Sequence, residues 1–255
     1  NVKGLLNIQF AIKDEELFIL EANPRASRTM PFVAKVTGNQ IIKAGTLLML
    51  GYSIDEVRNK TKYLSSSSNK VAIKKAIFPW SRFPAEDTML GPEMKATGEV
   101  LGVGKEFGTA LNKAYAAAGV EINNKEKGIF VTLSDSEKPN FIKTVNKYLE
   151  LGFTLYSTEG TGKFLKTNGI DSVIVGKADD LGQTSLTIIE DKLVSLVINT
   201  PTYANELSDG WKIRRLSHET GVAVVSSVRE ADAFIEAFLN QNLVLDDLEV
   251  IQDVS

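Results

Sequence analysis

The sequence predicts a mixed α/β chain whose second half forms a five-stranded parallel sheet. Five short apolar runs follow Val120, and helix-like segments separate them. This alternation is typical of a parallel sheet that helices cover on both faces. The first half begins instead with two neighbouring strand-like runs, which predict an antiparallel hairpin. We therefore expect two domains, residues 1–120 and 121–255, which meet at the polar stretch Glu121–Lys127.

The first half combines the hairpin with helices that end at glycine. Asp14–Glu16 is a polar turn between the hairpin strands, and Gly51 and Gly119 follow two of the helices. The pattern predicts strands at Leu5–Ile12, Leu17–Leu20 and Val71–Phe78, and helices at Pro31–Val36, Ile41–Leu50 and Lys105–Ala118. We interpret the serine-rich run Ser65–Asn69 as a loop and Trp80–Pro92, which contains prolines, as irregular chain.

The second half alternates between the two element types, and only Ala178–Glu190 carries no clear pattern. The predicted strands are Ile129–Leu133, Thr154–Tyr156, Ser172–Val175, Val194–Ile198 and Val222–Val225. The predicted helices are Lys138–Leu151, Thr161–Thr167, Gly210–Thr220 and Ala231–Leu239.

Composition excludes several classes of protein. The 255 residues carry a net charge of −3, so there is no general attraction to nucleic acid or to a membrane surface. Cysteine is absent, which excludes disulfides and thiolate chemistry and fits a reducing cytoplasm. No apolar run approaches the ~18 residues of a transmembrane helix. The chain starts at Asn1, without Met, and runs straight into a strand, so we expect it to be part of a longer protein.

The hairpin carries the first group of candidate functional residues. Gln9 and Glu21 have the same parity on the two strands, and Asn23 follows Glu21 by two residues, so the three side chains are expected on one face. Carboxylate and amide oxygens suit Mg²⁺. Arg25 and Arg28 follow directly and would stabilise charge during phosphoryl transfer. The alternative is a strand end, a turn and solvated arginines.

The second group follows the strands of the predicted parallel sheet. Ligands of open α/β sheets bind at the carboxyl edge, and the free N–H groups of a helix start favour an anion. We expect a phosphorylated small molecule there, held by residues Lys138, Thr158, Gly160, Thr161, Lys177, Asn199 and Thr200. The alternative is that the threonines only cap a helix and the lysines are ordinary surface.

The first half resembles the large subunit of carbamoyl phosphate synthetase. Glu21-Ala22-Asn23-Pro24-Arg25 is similar to the signature of ATP-grasp enzymes, and the flanking run from Asn7 to Gly38 extends the similarity. Leu90–Gly102 is similar to the segment that closes the ATP-grasp unit in that family. Thr29-Met30-Pro31-Phe32 resembles the second of the family's two ATP-grasp halves, where carbamate is phosphorylated.

This resemblance implies a glutamine-hydrolysing ligase that uses ATP with Mg²⁺ or Mn²⁺, and K⁺ as a further cation. In that family, the residues matching Gln9, Glu21 and Asn23 hold the metal. Those matching Gln9 and Glu21 thereby also hold ATP. The residues matching Arg25 and Arg28 contact the phosphoryl group or the carbamate. The implied partners are the remainder of the large subunit and a glutaminase small subunit. The implied product serves arginine or pyrimidine synthesis. We expect this chain alone to be inactive.

The second half is similar to the methylglyoxal-synthase-like allosteric domain of the same family, a Rossmann-type fold. Thr158-Glu159-Gly160-Thr161 matches its phosphate loop, and Lys138, Lys177 and Asn199-Thr200 fall where its nucleotide or ornithine effector is held. The resemblance also implies oligomer contacts through this domain. Pro201 departs from the pattern of UMP-inhibited members, which carry a second threonine there, and proline offers neither a hydroxyl nor an N–H. This departure argues against inhibition by UMP, and the alternatives are weak regulation or regulation by arginine supply. A stand-alone effector-binding module is the alternative function.

Other residues are expected to be structural. His218 and the pair Arg214-Arg215 are predicted on a solvated helix face. The alternative for the two arginines is a contribution to an effector site or to a subunit contact. Trp80 and Trp211 are predicted to be packing residues.

Overall fold

The computed structural model describes residues 2–62, 69–83, 86–89, 98–120, 122, 128–201 and 208–240. The described residues form two compact units, which divide after Lys70. The first unit contains strands β1 (Asn7–Lys13) and β2 (Glu16–Asn23) and helices α1 (Thr29–Thr37), α2 (Ile41–Met49) and α3 (Ile54–Lys60). No helix in the described ranges is long and apolar enough to cross a bilayer.

The predicted hairpin is confirmed, and its ladder is interrupted once. Asp14 and Glu15 both have positive φ, which gives the turn the twist that a two-residue hairpin connection needs. From there the strands pair as far as Phe10 with Ile19. Leu20 is then passed over and Gln9 pairs with Glu21, which is the pattern of a β-bulge.

Helix α3 was not predicted from the sequence. It has seven residues, too few for a readable apolar period. Its start is instead set by a capping box, in which Ser53 accepts from the N–H of Glu56 at 3.3 Å and the Glu56 carboxylate accepts from the N–H of Ser53 at 2.8 Å.

The second unit contains the remaining strands and helices. Its strands are β3 (Val71–Ile77), β4 (Gly98–Gly104), β5 (Gly128–Thr132), β6 (Leu155–Ser157), β7 (Val173–Ile174), β8 (Val194–Asn199) and β9 (Ala223–Val225). Its helices are α4 (Phe107–Ala117), α5 (Lys138–Glu150), α6 (Glu159–Thr167), α7 (Thr187–Glu190), α8 (Asp209–Thr220) and α9 (Val228–Leu239). A single 3₁₀ turn, Trp80–Arg82, follows β3.

The antiparallel pair β3–β4 was only half predicted, because β4 is rich in glycine and glycine disfavours strands. Packing explains one of these glycines. A Cβ on Gly102 would lie 2.1 Å from the carbonyl oxygen of Ala110 and 2.5 Å from the nitrogen of Ala114. Helix α4 therefore approaches β4 so closely that no side chain fits between them.

The five-stranded parallel sheet is confirmed, with the order β7-β6-β5-β8-β9. Strand order reverses between β7 and β8, so the carboxyl ends of β5 and β8 lie at the switch point of the sheet. There the N–H of Ser134 donates to the Thr200 hydroxyl at 2.7 Å, and the N–H of Thr200 donates to the carbonyl of Thr132 at 3.0 Å. These bonds fix the loops that follow the two central strands.

Apolar cores lie on both faces of this sheet, as the continuous apolar strands predicted. On β5, Ile129 and Val131 pack in one cluster with residues of α5 and α9, whereas Phe130 packs in the other with Ile188 and Ile213 of α7 and α8. All three β5 side chains are fully buried. This rigid sheet positions the loops at its carboxyl edge.

The compact units divide at a different place from the predicted domain limit at 120/121. Helix α4 packs on α9, where Asn112 Nδ2 donates to the carbonyls of Ala237 at 2.8 Å and Asn240 at 2.9 Å. The residues from β3 to α4 therefore group with the parallel sheet. The predicted boundary stretch lies outside the described residues apart from Ile122, as do residues 65–68 of the predicted loop and 90–97 of the closing segment.

The prediction that Arg214 and Arg215 are solvated is wrong, since their exposed fractions are only 4% and 7%. Arg215 donates to the carbonyls of Trp80 at 2.8 Å and Phe83 at 2.7 Å, and to the Glu219 carboxylate at 2.6 Å. Partners distant in sequence thus bury charges that a helix pattern alone would leave in water.

His218 is also less solvated than predicted, because its ring lies 5.7 Å from that of Trp80. Burial, reinforced by the positive charges of Lys75 and Arg215, lowers the pKa of His218 to about 4. Trp80 stacks on Phe78 with ring centroids 4.8 Å apart, which confirms its packing role.

Candidate functional site

The hairpin brings the predicted acid and amides onto one face. Gln9 and Glu21 are directly opposite each other in the antiparallel ladder, and such pairs share a face with Cβ atoms about 5 Å apart. Asn23 Nδ2 donates to Glu21 Oε1 at 2.8 Å, so these two side chains also meet. Because the amide nitrogen is used in this bond, Asn23 Oδ1 is the atom that can ligate a cation. The same face carries Asn7, opposite Asn23, which the sequence interpretation did not single out.

The two predicted arginines follow this face along the chain. Arg25 is exposed. Its backbone N–H donates to the carbonyl of Asn23 at 2.8 Å, which forms a tight turn directly after β2. Arg28 is exposed and is the N-cap residue of α1. The shared face of the hairpin thus carries the carboxylate of Glu21 and the amide oxygens of Gln9 and Asn23, and two guanidinium groups follow it along the chain. This donor set fits a hard divalent cation that completes its coordination with phosphate oxygens and water.

A cavity of about 790 Å³ lies at the carboxyl edge of the parallel sheet. Three of the predicted effector residues line it: Thr158, Gly160 and Lys177. Thr158 is the N-cap of α6, yet its side chain makes no capping bond to the helix backbone. Two further lysines, Lys163 and Lys166, line the same cavity, and so do the carboxylates Glu159, Asp171, Asp180 and Asp209. Lys163 forms an ion pair with Glu159 at 2.6 Å. The uncapped helix start, with Lys166 and Lys177 at the cavity, is suited to a phosphate group.

One unpredicted residue of this cavity is Ser185, whose side chain is 1% exposed. Its hydroxyl has no hydrogen-bond partner among the described residues. A buried hydroxyl without a partner is costly, and one that lines a cavity is explained if a ligand supplies the partner. Ser185 belongs to the stretch in which the sequence showed no pattern, so no local signal could have identified it.

The other four predicted effector residues do not line the cavity. Thr161 and Thr200 are buried, and their hydroxyls accept from the backbone N–H groups of Leu133 at 3.1 Å and Ser134 at 2.7 Å. Lys138 Nζ forms an ion pair with Asp135 at 2.6 Å. Asn199 accepts a hydrogen bond from Arg214. Their shared property is that they fix the loops of the sheet edge, so any contact with an effector stays a prediction.

Comparison with known proteins gives two family matches, one near each end of the chain. Residues 1–57 match the family "Carbamoyl-phosphate synthase L chain, ATP binding domain", and residues 140–226 match "MGS-like domain". The first match contains Gln9, Glu21 and Asn23 of the hairpin and the two arginines that follow it, and the second contains the described cavity residues from Thr158 to Ile213.

Similar curated proteins cover nearly the whole chain. It is 38% identical over 250 residues to a "Carbamoyl phosphate synthase large chain, C-terminal section" from Aquifex aeolicus, covering 92% of this chain and 46% of that protein. It is 40% identical over 245 residues to a "Carbamoyl phosphate synthase large chain" from Brucella suis, covering 93% of this chain and 21% of that protein.

An Archaeoglobus fulgidus protein of the same name is 38% identical over 259 residues, covering 100% of this chain and 24% of that protein. The chain therefore spans less than half the length of these relatives. The match runs from the hairpin through the parallel-sheet unit, and both family matches fall within it. The chain belongs to the carbamoyl phosphate synthase large-chain family and corresponds to its C-terminal part.

Proposed function

We propose that this chain contributes to the ATP-dependent phosphorylation of carbamate within a carbamoyl phosphate synthase large chain. The observation that carries the proposal is the shared hairpin face of Gln9, Glu21 and Asn23, inside the residues that match an ATP-binding domain. A carbamate oxygen attacks the γ-phosphorus of ATP, the bond to the bridging β,γ-oxygen breaks, and ADP leaves as carbamoyl phosphate forms.

The hairpin residues have separate tasks in this reaction. Gln9, Glu21 and Asn23 would hold Mg²⁺ or Mn²⁺, which when bound neutralises charge on the phosphate oxygens. The guanidinium groups of Arg25 and Arg28 stabilise negative charge on the transferred phosphoryl group and orient the carbamate. Both arginines follow β2 closely, so the strand end determines how far they reach.

The rest of the active site would come from the remainder of the large chain, in which ammonia supplied by a glutaminase subunit is used. Relatives more than twice as long support this part of the proposal. Apolar side chains of the hairpin also support it, because Phe10, Ile12 and Ile19 are at least half exposed. Such side chains are normally covered in a complete domain. We propose that the protein is cytoplasmic and serves arginine or pyrimidine synthesis.

We further propose that the cavity at the sheet edge binds a phosphorylated effector that regulates catalysis. Support comes from the uncapped start of α6 at Thr158, the lysines of the cavity and the buried hydroxyl of Ser185. The backbone N–H of Lys177 donates to Asp180 at 2.8 Å, which fixes the loop that presents this lysine.

The test of the catalytic proposal is the reverse half-reaction in the complete large chain. We expect ATP to form from carbamoyl phosphate and MgADP, and we expect the 255-residue chain by itself to give none. Turnover at full rate by this chain alone would contradict the proposal that the remainder is needed.

A second candidate function is that of a stand-alone effector-binding module, which the cavity at the sheet edge favours. Calorimetry with IMP, UMP and ornithine on this chain separates the two readings. Binding without any phosphoryl transfer in the complete protein would favour the module, whereas binding together with transfer would favour the regulated enzyme.

A further inference from the structure

Arg214 of α8 connects two parts of the second unit that are far apart in sequence. Its Nη1 atom donates to Oδ1 of Asn199 at 2.8 Å. Its Nε and Nη2 atoms donate to the two carboxylate oxygens of Asp87 at 3.0 and 2.5 Å. The side chain of Arg214 is 5% exposed and that of Asp87 is 18% exposed. The buried guanidinium of Arg214 therefore bonds both Asn199 and Asp87.

Asn199 lies at the functional edge of the sheet. It is the last residue of β8, and Thr200 after it holds the loop at Ser134. Gly210, which lines the cavity, separates that cavity from the Arg214–Asn199 contact. A Cβ on Gly210 would lie 3.1 Å from Nη1 of Arg214 and 3.5 Å from both amide atoms of Asn199. Helix α8 itself joins the two places, because its residues Asp209, Gly210 and Ile213 line the cavity and Arg214 is the next residue of the same helix.

Asp87, the second partner of Arg214, holds the backbone of segment 86–89. Burial raises the pKa of its carboxyl, but the bonds and charge of Arg214 and the N–H groups of Met89 and Thr88 outweigh burial, so the pKa is lowered. The N–H of Met89 donates to Asp87 Oδ1 at 3.0 Å. The segment 86–89 therefore depends on Asp87, and Asp87 depends on Arg214.

We propose that Arg214 couples occupancy of the sheet-edge cavity to the conformation of segment 86–89. This inference rests on the proposed effector site. A guanidinium is a rigid planar fork, so it cannot follow Asn199 without weakening its two bonds to Asp87. Water cannot replace the weakened bonds to Asp87, because the guanidinium of Arg214 is buried. Segment 86–89 lies between β3 and β4 in the chain.

Arg215 provides a contrast on the same helix. It holds the carbonyls of Trp80 and Phe83, in the same connection between β3 and β4. The bonds recorded for Arg215 go to these carbonyls and to Glu219, and none goes to the sheet edge. Arg215 anchors the connection, whereas Arg214 also joins it to the cavity. Arg214 is therefore a positioning residue for regulation.

The test uses amide hydrogen exchange at Met89 in the complete large chain. Without ligand, we expect Asn199→Ala to raise the exchange rate of the Met89 N–H roughly tenfold, because Arg214 loses one anchor. Exchange at Leu196, in the core of β8, serves as the reference for global destabilisation. The matched control is Lys212→Gln. Lys212 lies on α8 like Arg214 but pairs with Asp179, outside the helix, so its replacement should leave the exchange rate of Met89 unchanged.

The reciprocal measurement uses IMP and UMP as probes. We expect a bound nucleotide to change Met89 exchange in the wild type, and we expect Asp87→Asn to change nucleotide affinity, because a contact that depends on occupancy also affects binding. Asp87→Asn keeps the shape of the side chain and removes its charge, so it is the variant that tests coupling if Asn199→Ala fails to fold. Unchanged Met89 exchange or unchanged affinity, with nucleotide bound, would overturn the inference alone. Absence of binding by either nucleotide to the wild type would overturn the effector site, and the inference with it.

Discussion

Gln9 lies directly opposite Glu21 only because Leu20 is left out of the ladder between β1 and β2. The pairs from Lys13–Glu16 to Phe10–Ile19 would place Gln9 opposite Leu20 if they continued without interruption. Glu21 would then project from the other face, since successive side chains of a strand alternate. The bulge thus places the carboxylate beside the amide of Gln9, and the proposed metal site depends on it.

Replacing Glu21 by Gln should reduce the phosphoryl-transfer rate of the complete large chain by ~100-fold or more, because the only carboxylate of the proposed metal site is removed. The measurement is ATP formation from carbamoyl phosphate and MgADP at saturating Mg²⁺. Glu16→Gln is the matched control, an exposed carboxylate on the same strand. Equal losses in both variants would contradict the proposed role of Glu21.

Replacing Ser185 by Ala should weaken IMP or UMP binding several-fold and leave the free energy of unfolding unchanged or slightly higher. The reason is that the Ser185 hydroxyl is buried without a partner, so its removal costs the empty protein nothing. Calorimetry and urea unfolding provide the two readouts. Ser157→Ala is the contrasting variant, since the Ser157 hydroxyl bonds that of Ser172 at 2.7 Å and its loss should destabilise by ~1 kcal/mol.

Stability of the 255-residue chain should fall as the pH is lowered from about 6.5 to about 4. His218 is the only histidine, and burial beside Lys75 and Arg215 lowers its pKa to about 4 in the folded state. In this window the unfolded state binds a proton that the folded state does not, so folding is favoured at the higher pH. The loss should be at most about 3 kcal/mol.

Urea unfolding across this pH range measures the effect, and His218→Gln is its control. The variant should lose most of the pH dependence between 6.5 and 4, while the carboxylates that titrate near pH 4 contribute equally to both proteins. Parallel curves for the wild type and the variant would show that His218 is not responsible.

Gly102→Ala should destabilise the chain by about 3 kcal/mol, because the added Cβ meets backbone atoms of α4 that cannot move aside cheaply. Gly98→Ala is a matched control in the same strand, since its Cβ would lie 3.4 Å from its nearest neighbour, the carbonyl oxygen of Ile77. Urea unfolding of both variants tests the difference. Equal stability would mean that α4 and β4 are not packed as closely as the structure has them.

Elements whose environment is uniform could be predicted from the sequence. Strands β5 and β8 are buried on both faces, so each is a continuous apolar run such as Ile129–Val131, and this run alone indicates a parallel sheet covered by helices. The hairpin was equally readable, because a polar turn separates its two apolar strands. The candidate residues Gln9, Glu21 and Asn23 followed from their spacing and from the family resemblance.

Features that depend on distant partners could not be predicted. Arg214 looks like a solvated helix residue until Asp87, 127 positions away, is placed against it. The role of Ser185 depends on the cavity that it lines. Strand β4 pairs with β3, and Gly102 of β4 leaves the space that α4 occupies. The sequence by itself determined most of the strands and helices, though not α3, β4 or α7, and which residue types carry the chemistry, because local periodicity and composition are properties of neighbouring residues. Only the tertiary structure decided register, burial of charge and the walls of the cavity, because these arise where segments remote in sequence meet.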